Sequence, residues 1–317
     1  MFALLTQKVK KHLHKGYICD IIVKNYIRRI KMESLQFLID ELSQGRNFHI
    51  SILDLSGILH TPHTKIKFKN AVHIKNFCNM AKSTPIGYRV CMHCKMLANT
   101  KAIQGKESFC GHCLYGLYEI AKPVIIGDTV AAIVYVGNAL IDEQKSKELI
   151  YKVCERTGVN PSAMVSELKK CERIDSPNEL FRIANLVSDY MVWIHHSTPK
   201  QKQKENTSWL VSVMKDHADR MYKSDISLTE LAETYQKNEK YMGRLFKQEI
   251  GVSFSEYKRA RRLELAESML LQSDEKIIDI ALECGFNNIS YFNRAFKEKY
   301  DTSPNEYRAK SRSTRKT

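Results

Sequence analysis

The sequence predicts two domains of different fold class, an α+β domain in the N-terminal half and an all-α domain in the C-terminal half. Alternating apolar residues at 48–59 and 123–137 indicate strands, and stretches with helical periodicity surround them. Beyond residue 208 the apolar spacing is helical, and a helix-turn-helix pattern occurs twice. The polar, charged segment 198–207 contains Pro199 and is typical of a linker between the two domains.

The composition indicates a soluble globular protein. Of the 317 residues 43% are hydrophobic and 27% charged, and the apolar run at 130–136 falls far short of the roughly 20 residues that cross a bilayer. The N-terminus lacks the apolar core of a signal peptide, so we expect a cytoplasmic protein with reduced thiols and no membrane partner. The net charge of +15 favours a polyanionic partner.

The first half of the chain predicts a mixed succession of helices and strands. Residues 1–31 form a basic extension, which we interpret as a basic helix, as an arm that binds DNA, or as the result of a start codon assigned upstream of the true one. The last alternative arises because Met32 opens an ordinary helix that runs to about Ser43. Residues 48–59 predict a strand, a turn at 54–57 and a second strand, and 72–82 predict a helix. Residues 123–137 predict a hairpin that turns at 127–128. Residues 32–145 therefore predict an antiparallel sheet with helices, in the general shape of PAS or GAF sensory domains.

Residues 146–197 are predicted to form a helical connector. In its last helix the apolar residues recur at the spacing of a coiled-coil seam: Leu180, Ala184, Val187, Met191 and Ile194. Two alternatives stay open from this pattern. The stripe is either the contact of a homodimer or the face that packs against its own domain.

Two CxxC pairs, Cys91 with Cys94 and Cys110 with Cys113, lie between the predicted strand regions. Thiolates at this interval can converge on one tetrahedral ion, which predicts one zinc, with an iron–sulfur cluster as an alternative. The first pair lies in a stretch with helical periodicity, whereas zinc knuckles usually occupy turns, so buried reduced thiols are the competing interpretation.

The same region resembles a known family. The stretches FCNMAKSTPIGYRVC at 77–91 and FCGHCLYGLYEIAKPV at 109–124 are similar to the PocR sensory domain. The resemblance implies a PAS-like fold that binds small organic ligands. It emphasises Cys78, Cys91 and Cys113 and not Cys110, so the metal-binding set could instead be Cys78, Cys91, Cys94 and Cys113.

The C-terminal half contains the duplicated helix-turn-helix pattern. In the second copy Gly285 ends one helix and Asn287 or Asn288 caps the next, whose aromatic residues point inward. In the first copy Ser227 and Glu230 form a capping box that opens the unit. In such units the second helix enters the major groove of DNA.

Residues 208–310 resemble the AraC/XylS-type DNA-binding domain over their whole length. The matching stretches include LTELA at 228–232, YMGRLFK at 241–247 and SPNEYR at 303–308. The resemblance implies two helix-turn-helix units joined by a long helix, here 254–271, with both reading helices in successive major grooves ~10 bp apart. Asp301 stands where glycine is usual, and we expect it to tolerate the same left-handed turn.

The resemblance also assigns DNA contacts. The positions that face base edges are Lys240, Gly243, Arg244, Ile289, Ser290, Asn293 and Arg294. The residues placed for phosphates are Lys247, Lys258, Arg259, Arg262 and Lys297. A basic tail follows at 311–317, and four aromatic residues of the reading helices are expected in the core: Tyr241, Phe246, Tyr291 and Phe296.

Together these patterns predict a transcription regulator, an activator, that binds promoter DNA and contacts RNA polymerase under the control of a small organic effector. The alternative is a redox or zinc sensor in which the cysteines detect the signal. No catalytic triad, phosphate loop or paired carboxylates support an enzyme.

Overall fold

The computed structural model describes residues 34–60, 63–73, 75–197, 209–220 and 226–314. The basic extension 1–31, the linker 198–207 and the last residues of the basic tail lie outside this range. An antiparallel sheet with surrounding helices forms the N-terminal domain, and the C-terminal domain is helical. Both fold classes predicted from the sequence are confirmed.

The sheet of the N-terminal domain is built from β1 (His49–Asp54), β2 (Phe109–His112), β3 (Tyr118–Ile126), β4 (Thr129–Leu140) and the short β5 (Glu172–Arg173). Its order is β1-β4-β3-β2 with antiparallel pairing, and β5 adds a parallel pair at the end of β4. The predicted hairpin at 127–128 is confirmed as the β3–β4 turn, where Gly127 has a φ of 58°.

The predicted second strand after β1 is wrong. The Asp54 carboxylate accepts hydrogen bonds from the backbone N–H groups of the four residues 56–59, which turns the chain as β1 ends. Residues Ile58–His60 then form a 3₁₀ turn instead of a strand. The partner of β1 is β4, far along the sequence, so local alternation misidentified the pairing.

Six helices surround this sheet in the described part of the chain: α1 (Leu35–Ser43), α2 (Asn76–Ala81), α3 (Pro85–Gly105), α4 (Glu143–Thr157), α5 (Pro161–Leu168) and α6 (Pro177–Ser197). The predicted helix at 72–82 is shorter than expected because it begins only at Asn76. Helix α3 opens with Pro85 at its first turn, and the Thr84 side chain accepts from the Gly87 N–H. Both Cys91 and Cys94 therefore lie on a helix and not in a turn.

One face of the sheet packs against α1 and α6. The stripe with coiled-coil spacing on α6 is fully buried there, in one apolar cluster with Ile50, Ile120 and Val134 of the strands. Of the two alternatives for this stripe, packing against its own domain is the one that the structure shows. The stripe is not available as a dimer seam.

The C-terminal domain contains seven helices within the described residues: α7 (Trp209–Arg220), α8 (Leu228–Thr234), α9 (Glu239–Ile250), α10 (Phe254–Gln272), α11 (Ile277–Glu283), α12 (Ile289–Tyr300) and α13 (Pro304–Thr314). Helices α8 and α9 form the first helix-turn-helix unit, α11 and α12 form the second, and α10 is the long helix between them. The units have separate cores, around Met242 and Phe246 in the first and around Phe292 and Phe296 in the second.

The local signals for these units are confirmed. Ser227 and Glu230 form the capping box of α8, and the Asn288 side chain caps α12 by accepting from the Tyr291 N–H. Gly285 has a φ of 84°, and Asp301 takes the left-handed conformation at 59°. Gly285 and Asn288 set the turn between α11 and α12 and so fix how α12 projects.

The first unit also packs against the second face of the sheet. Leu53 and Tyr135 of the N-terminal domain share an apolar cluster with Leu210, Met214 and Leu231 of the C-terminal domain. The two domains are therefore in direct contact, in addition to being joined through the linker.

Candidate DNA interface and effector cavity

The two reading helices, α9 and α12, present most of the predicted base-facing residues to solvent. Lys240 and Arg244 of α9 are exposed, as are Ser290, Asn293 and Arg294 of α12. Each of these helices buries only its inner face, because the hydrophobic residues recur on one side. The geometry therefore leaves both outer faces accessible to a duplex.

Two of the predicted base-facing positions are partly covered. Gly243 is half-buried, and a Cβ atom there would lie 3.2 Å from Leu228 Cδ2, so the missing side chain lets α9 approach α8 closely. Ile289 packs against the core of the second unit. Their contacts with bases stay predictions.

The predicted phosphate contacts divide into two groups. Lys247 and Lys297 are exposed at the ends of the reading helices. On α10, Lys258 Nζ donates to the Ile226 carbonyl at 2.9 Å, and Arg259 pairs with Glu298 at 3.3 Å.

The remaining phosphate candidate, Arg262, is only 9% exposed, and its guanidinium lies 6.0 Å from the centre of the Phe286 ring. Its burial disfavours a phosphate contact, because a residue covered by its own domain cannot reach the backbone of a duplex.

The expectation that four aromatic residues of the reading helices lie in the core holds for only two. Phe246 and Phe296 are fully buried, whereas Tyr241 is 48% and Tyr291 41% exposed. Both tyrosines follow the cap residue by three positions, so they lie on the first turn of a reading helix. Sequence reasoning missed them as candidate DNA contacts, since an aromatic residue at helical spacing is more often buried.

A cavity of about 370 Å³ lies against the second face of the sheet, between β1, β3, β4 and helix α3. Its walls are mainly apolar and aromatic, with contributions from Leu53, Tyr88, Met92, Phe109, Ala121 and Tyr135. Cavities of this size and composition, with a few polar groups, are typical of small-molecule sites.

A cluster of three ionisable side chains forms the polar part of the cavity wall. Glu119 of β3 accepts from His73 Nε2 at 3.0 Å and from Lys95 Nζ at 3.2 Å, and Lys95 Nζ also lies 3.1 Å from His73 Nε2. The Lys95 ammonium sits 2.9 Å from the centre of the Tyr135 ring. The Lys95 ammonium is therefore fixed by two contacts, an ion pair with the Glu119 carboxylate and a cation–π contact with the Tyr135 ring.

The electrostatics of this cluster follow from burial and mutual charge. Burial alone would raise the pKa of Glu119, but Lys95 and His73 beside it lower that pKa to about 2. Burial lowers the pKa of Lys95, against the opposing effect of Glu119. The carboxylate is therefore ionised at neutral pH, and the cluster offers both a hydrogen-bond acceptor and a donor.

Five cysteines line the cavity: Cys78, Cys91, Cys94, Cys110 and Cys113. The first three and Cys113 influence one another electrostatically. Burial and the neighbouring thiols raise the pKa of Cys91 to about 12 and that of Cys113 well above its usual range. Within the described residues, no group of three or more His, Cys, Asp or Glu side chains has the arrangement of a metal site. The zinc or iron–sulfur centre at these thiols stays a prediction.

The fifth candidate ligand, Cys110, is placed differently. It is exposed, and its sulfur accepts from the Tyr118 hydroxyl at 2.7 Å. All five thiols line the same cavity. A metal-binding role for either set of four cysteines stays a prediction.

Two helix-turn-helix units on a long helix, with a cavity-bearing domain packed against the first unit, define a DNA-binding regulator with a sensory domain. Comparison with family models agrees for both halves. Residues 29–197 match the sensory domain found in PocR, and residues 231–310 match a helix-turn-helix domain of AraC type. The chain belongs to the family that carries the sensory domain found in PocR, and its C-terminal part matches a helix-turn-helix domain of AraC type.

Curated relatives and solved structures resemble the C-terminal part. The chain is 36% identical over 92 residues to the HTH-type transcriptional regulator YtdP of Bacillus subtilis, with 29% of this chain and 12% of that protein aligned. It is 32% identical over 99 residues to the regulator YijO of Escherichia coli, covering 31% of this chain and 35% of YijO. The chain thus spans well under half the length of these relatives.

Among solved structures, the C-terminal domain of AraT, a response regulator from Geobacillus stearothermophilus, is 32% identical with a TM-score of 0.32. That match covers 33% of this chain and 88% of that domain. In the described part of the chain, no helix is both long and apolar enough to cross a bilayer.

Proposed function

We propose that the protein is a transcription activator whose DNA binding is controlled by a small organic effector in the cavity of the sensory domain. The observation that carries this proposal is the half-buried cluster of Glu119, Lys95 and His73 inside mainly apolar walls. A charged cluster costs free energy to bury, so its place in a cavity is best explained by a polar group of a ligand that it orients. We propose binding, and not catalysis, as the role of this site.

On the DNA side, we propose that α9 and α12 enter successive major grooves. Arg244 and Arg294 are placed to donate two hydrogen bonds each to guanine, and Asn293 can pair with adenine. Lys247 and Lys297 add phosphate contacts that raise affinity without specifying sequence. The protein would then recruit RNA polymerase to a promoter.

The effector proposal is tested on the full chain by thermal unfolding with glycerol, propanal or propionate, which represent polyols, aldehydes and carboxylates. A compound at a hundred times its Kd stabilises the folded state by about 2.7 kcal/mol and raises Tm. We expect at least one to do so, and Glu119→Gln to weaken the effect. Glu155→Gln, an exposed change on α4, is the matched control and should not. If no compound raises Tm, the proposed effector class is wrong.

Activation is tested by in vitro transcription from a promoter that the protein binds. The effector should increase transcript yield with RNA polymerase present. A decrease would make the protein a repressor and overturn this part of the proposal.

The alternative is a sensor in which the thiols themselves detect an oxidant or zinc. The presence of five cysteines in the wall of one cavity supports it. The raised pKa values of Cys91 and Cys113 oppose it, because the thiolate is the form that reacts with oxidants and binds metals. Elemental analysis of protein purified without chelators, together with DNA affinity with and without reductant, decides between the two.

A further inference from the structure

The cavity has walls from both domains. Besides residues of the sensory domain, it is lined by His217 of α7, by Ile226 and by Thr234 and Tyr235 at the end of α8. These four residues belong to the first helix-turn-helix unit or to the helix that supports it. A molecule in the cavity therefore lies within reach of the DNA-binding domain.

A contact between the two domains, next to the cavity wall, is centred on Trp209. Its indole lies against Gly57 in the turn after β1, where an added Cβ atom would be 2.7 Å from Trp209 Cδ1. The other side of Trp209 meets the Tyr235 ring, with 6.4 Å between ring centres. The side chain of Trp209 thus joins the turn of the sensory domain to a residue of the cavity wall.

A chain of polar contacts crosses the same boundary. The Tyr135 ring, on which the Lys95 ammonium rests, carries a hydroxyl that donates to Asn99 Oδ1 at 2.5 Å. Asn99 is buried, and its Nδ2 donates to the Thr234 carbonyl at the end of α8 at 3.5 Å. The ionisable cluster is therefore linked through two side chains to the backbone of the first unit.

His217 has an unused hydrogen-bonding atom at this boundary. It is only 8% exposed, its Nε2 lies 3.2 Å from the Tyr235 hydroxyl, and its Nδ1 has no partner in the described part of the chain. Burial lowers the pKa of His217 to about 4, so the ring is neutral at physiological pH. Nδ1 can then accept or donate, depending on the tautomer that Tyr235 selects.

We propose that the effector binds between the two domains and forms a hydrogen bond with His217 Nδ1, so that the first helix-turn-helix unit is part of the effector site. The proposal rests on the effector function proposed above. The chemistry fits a small organic molecule with a hydroxyl or carbonyl oxygen. Because the molecule contacts both domains, its binding changes how firmly the first unit is held against the sensory domain, and so its freedom to meet DNA.

The first test asks whether the C-terminal domain covers the cavity. N-ethylmaleimide is added to the full chain, and the labelling rates of Cys91 and Cys113 are read by mass spectrometry. Gly57→Ala should raise both rates at least about tenfold by displacing Trp209. Gly45→Ala is the matched control, since Gly45 also has a positive φ, 69°, but has nothing within 4 Å of an added Cβ.

Loss of folding is distinguished from loss of the interdomain contact. Cys154 and Cys284 are buried away from the cavity, so their labelling rates should stay unchanged. If Gly57→Ala exposes them as well, Trp209→Ala removes the same contact without backbone strain and decides the matter. Unchanged labelling of Cys91 and Cys113 in a folded Trp209→Ala protein overturns the proposal.

The second test addresses His217 with whichever of glycerol, propanal and propionate stabilises the wild-type chain. His217→Phe should weaken binding of that compound about tenfold, and His93→Phe, at an exposed position on α3, should change it less than twofold. If the compound binds the His217 variant as tightly as wild type, the inference fails while the effector function stands. If none of the three binds wild type, the effector proposal fails, and the labelling test still decides whether the cavity is shared.

Discussion

The substitution Gly137→Ala should disturb the ionisable cluster from inside the sheet. Gly137 of β4 is the register partner of Glu119 in β3, and a Cβ atom added there would lie 2.7 Å from both Cβ and Cγ of Glu119 and 2.9 Å from its Cα. The Cα atom belongs to the backbone and cannot rotate away. The new methyl group must therefore push the strands apart or move Glu119 from Lys95 and His73.

The size of the effect follows from the crowding. Inserting a methyl group into a well-packed site typically costs about 1–3 kcal/mol, so we expect a decrease of that size in the free energy of unfolding of the sensory domain. A displaced Glu119 also leaves the half-buried Lys95 ammonium poorly paired, which adds to this decrease.

Gly111→Ala provides a matched control for this substitution. Gly111 of β2 is the other register partner of Glu119, but nothing lies within 4 Å of an added Cβ atom. Alanine there should be neutral or stabilising by about 0.5 kcal/mol, since glycine in a strand costs more conformational entropy. The assay is urea unfolding of both full-length variants. Equal stability of the two would refute the packing argument around Glu119.

Two further predictions concern pH and DNA. Burial lowers the pKa of both His49 and His217 to about 4. Because both histidines take up a proton at a higher pH in the unfolded chain than in the folded protein, the free energy of unfolding should decrease as the pH drops from about 6.5 to 4. The decrease is up to about 3 kcal/mol for each histidine. Urea unfolding at several pH values measures this, and His217→Phe should reduce the dependence; an unchanged slope contradicts it. In DNA binding, Arg244→Ala should reduce the free energy of discrimination at one recognised base pair by about 1–3 kcal/mol. Lys297→Ala should weaken all sequences alike and lower the slope of log affinity against log salt by about one; a sequence-selective loss would contradict a phosphate role.

The C-terminal domain could be predicted almost completely from the sequence, because its signals are local. A capping box at Ser227, a positive φ at Gly285 and a cap at Asn288 each determine a turn within a few residues. Sequence spacing did not distinguish the exposed Tyr241 and Tyr291 from the buried aromatic residues of the same helices. Their exposure depends on the rotation of each helix about its axis, which is set by packing against neighbouring helices.

The sensory domain was predicted in outline only, because its contacts are between residues far apart in sequence. The pairing of β1 with β4 and the turn set by Asp54 replaced the expected local strand pair. The cavity and its cluster were not foreseen, because His73, Lys95 and Glu119 come from a loop, a helix and a strand. Only the resemblance to a family that binds small ligands indicated that such a site should exist. The zinc hypothesis came from CxxC spacing, which carries no information on the helix that holds Cys91 and Cys94, and it stays a prediction.

The central claim is that the two reading helices contact one duplex in successive major grooves. Selection of random duplex DNA by the full chain tests it most directly. The account predicts an enriched site with two short elements whose centres lie ~10 bp apart, in which Arg244→Ala abolishes preference at one element and Arg294→Ala at the other. Enrichment of a single element, or the loss of the same element by both variants, would contradict it.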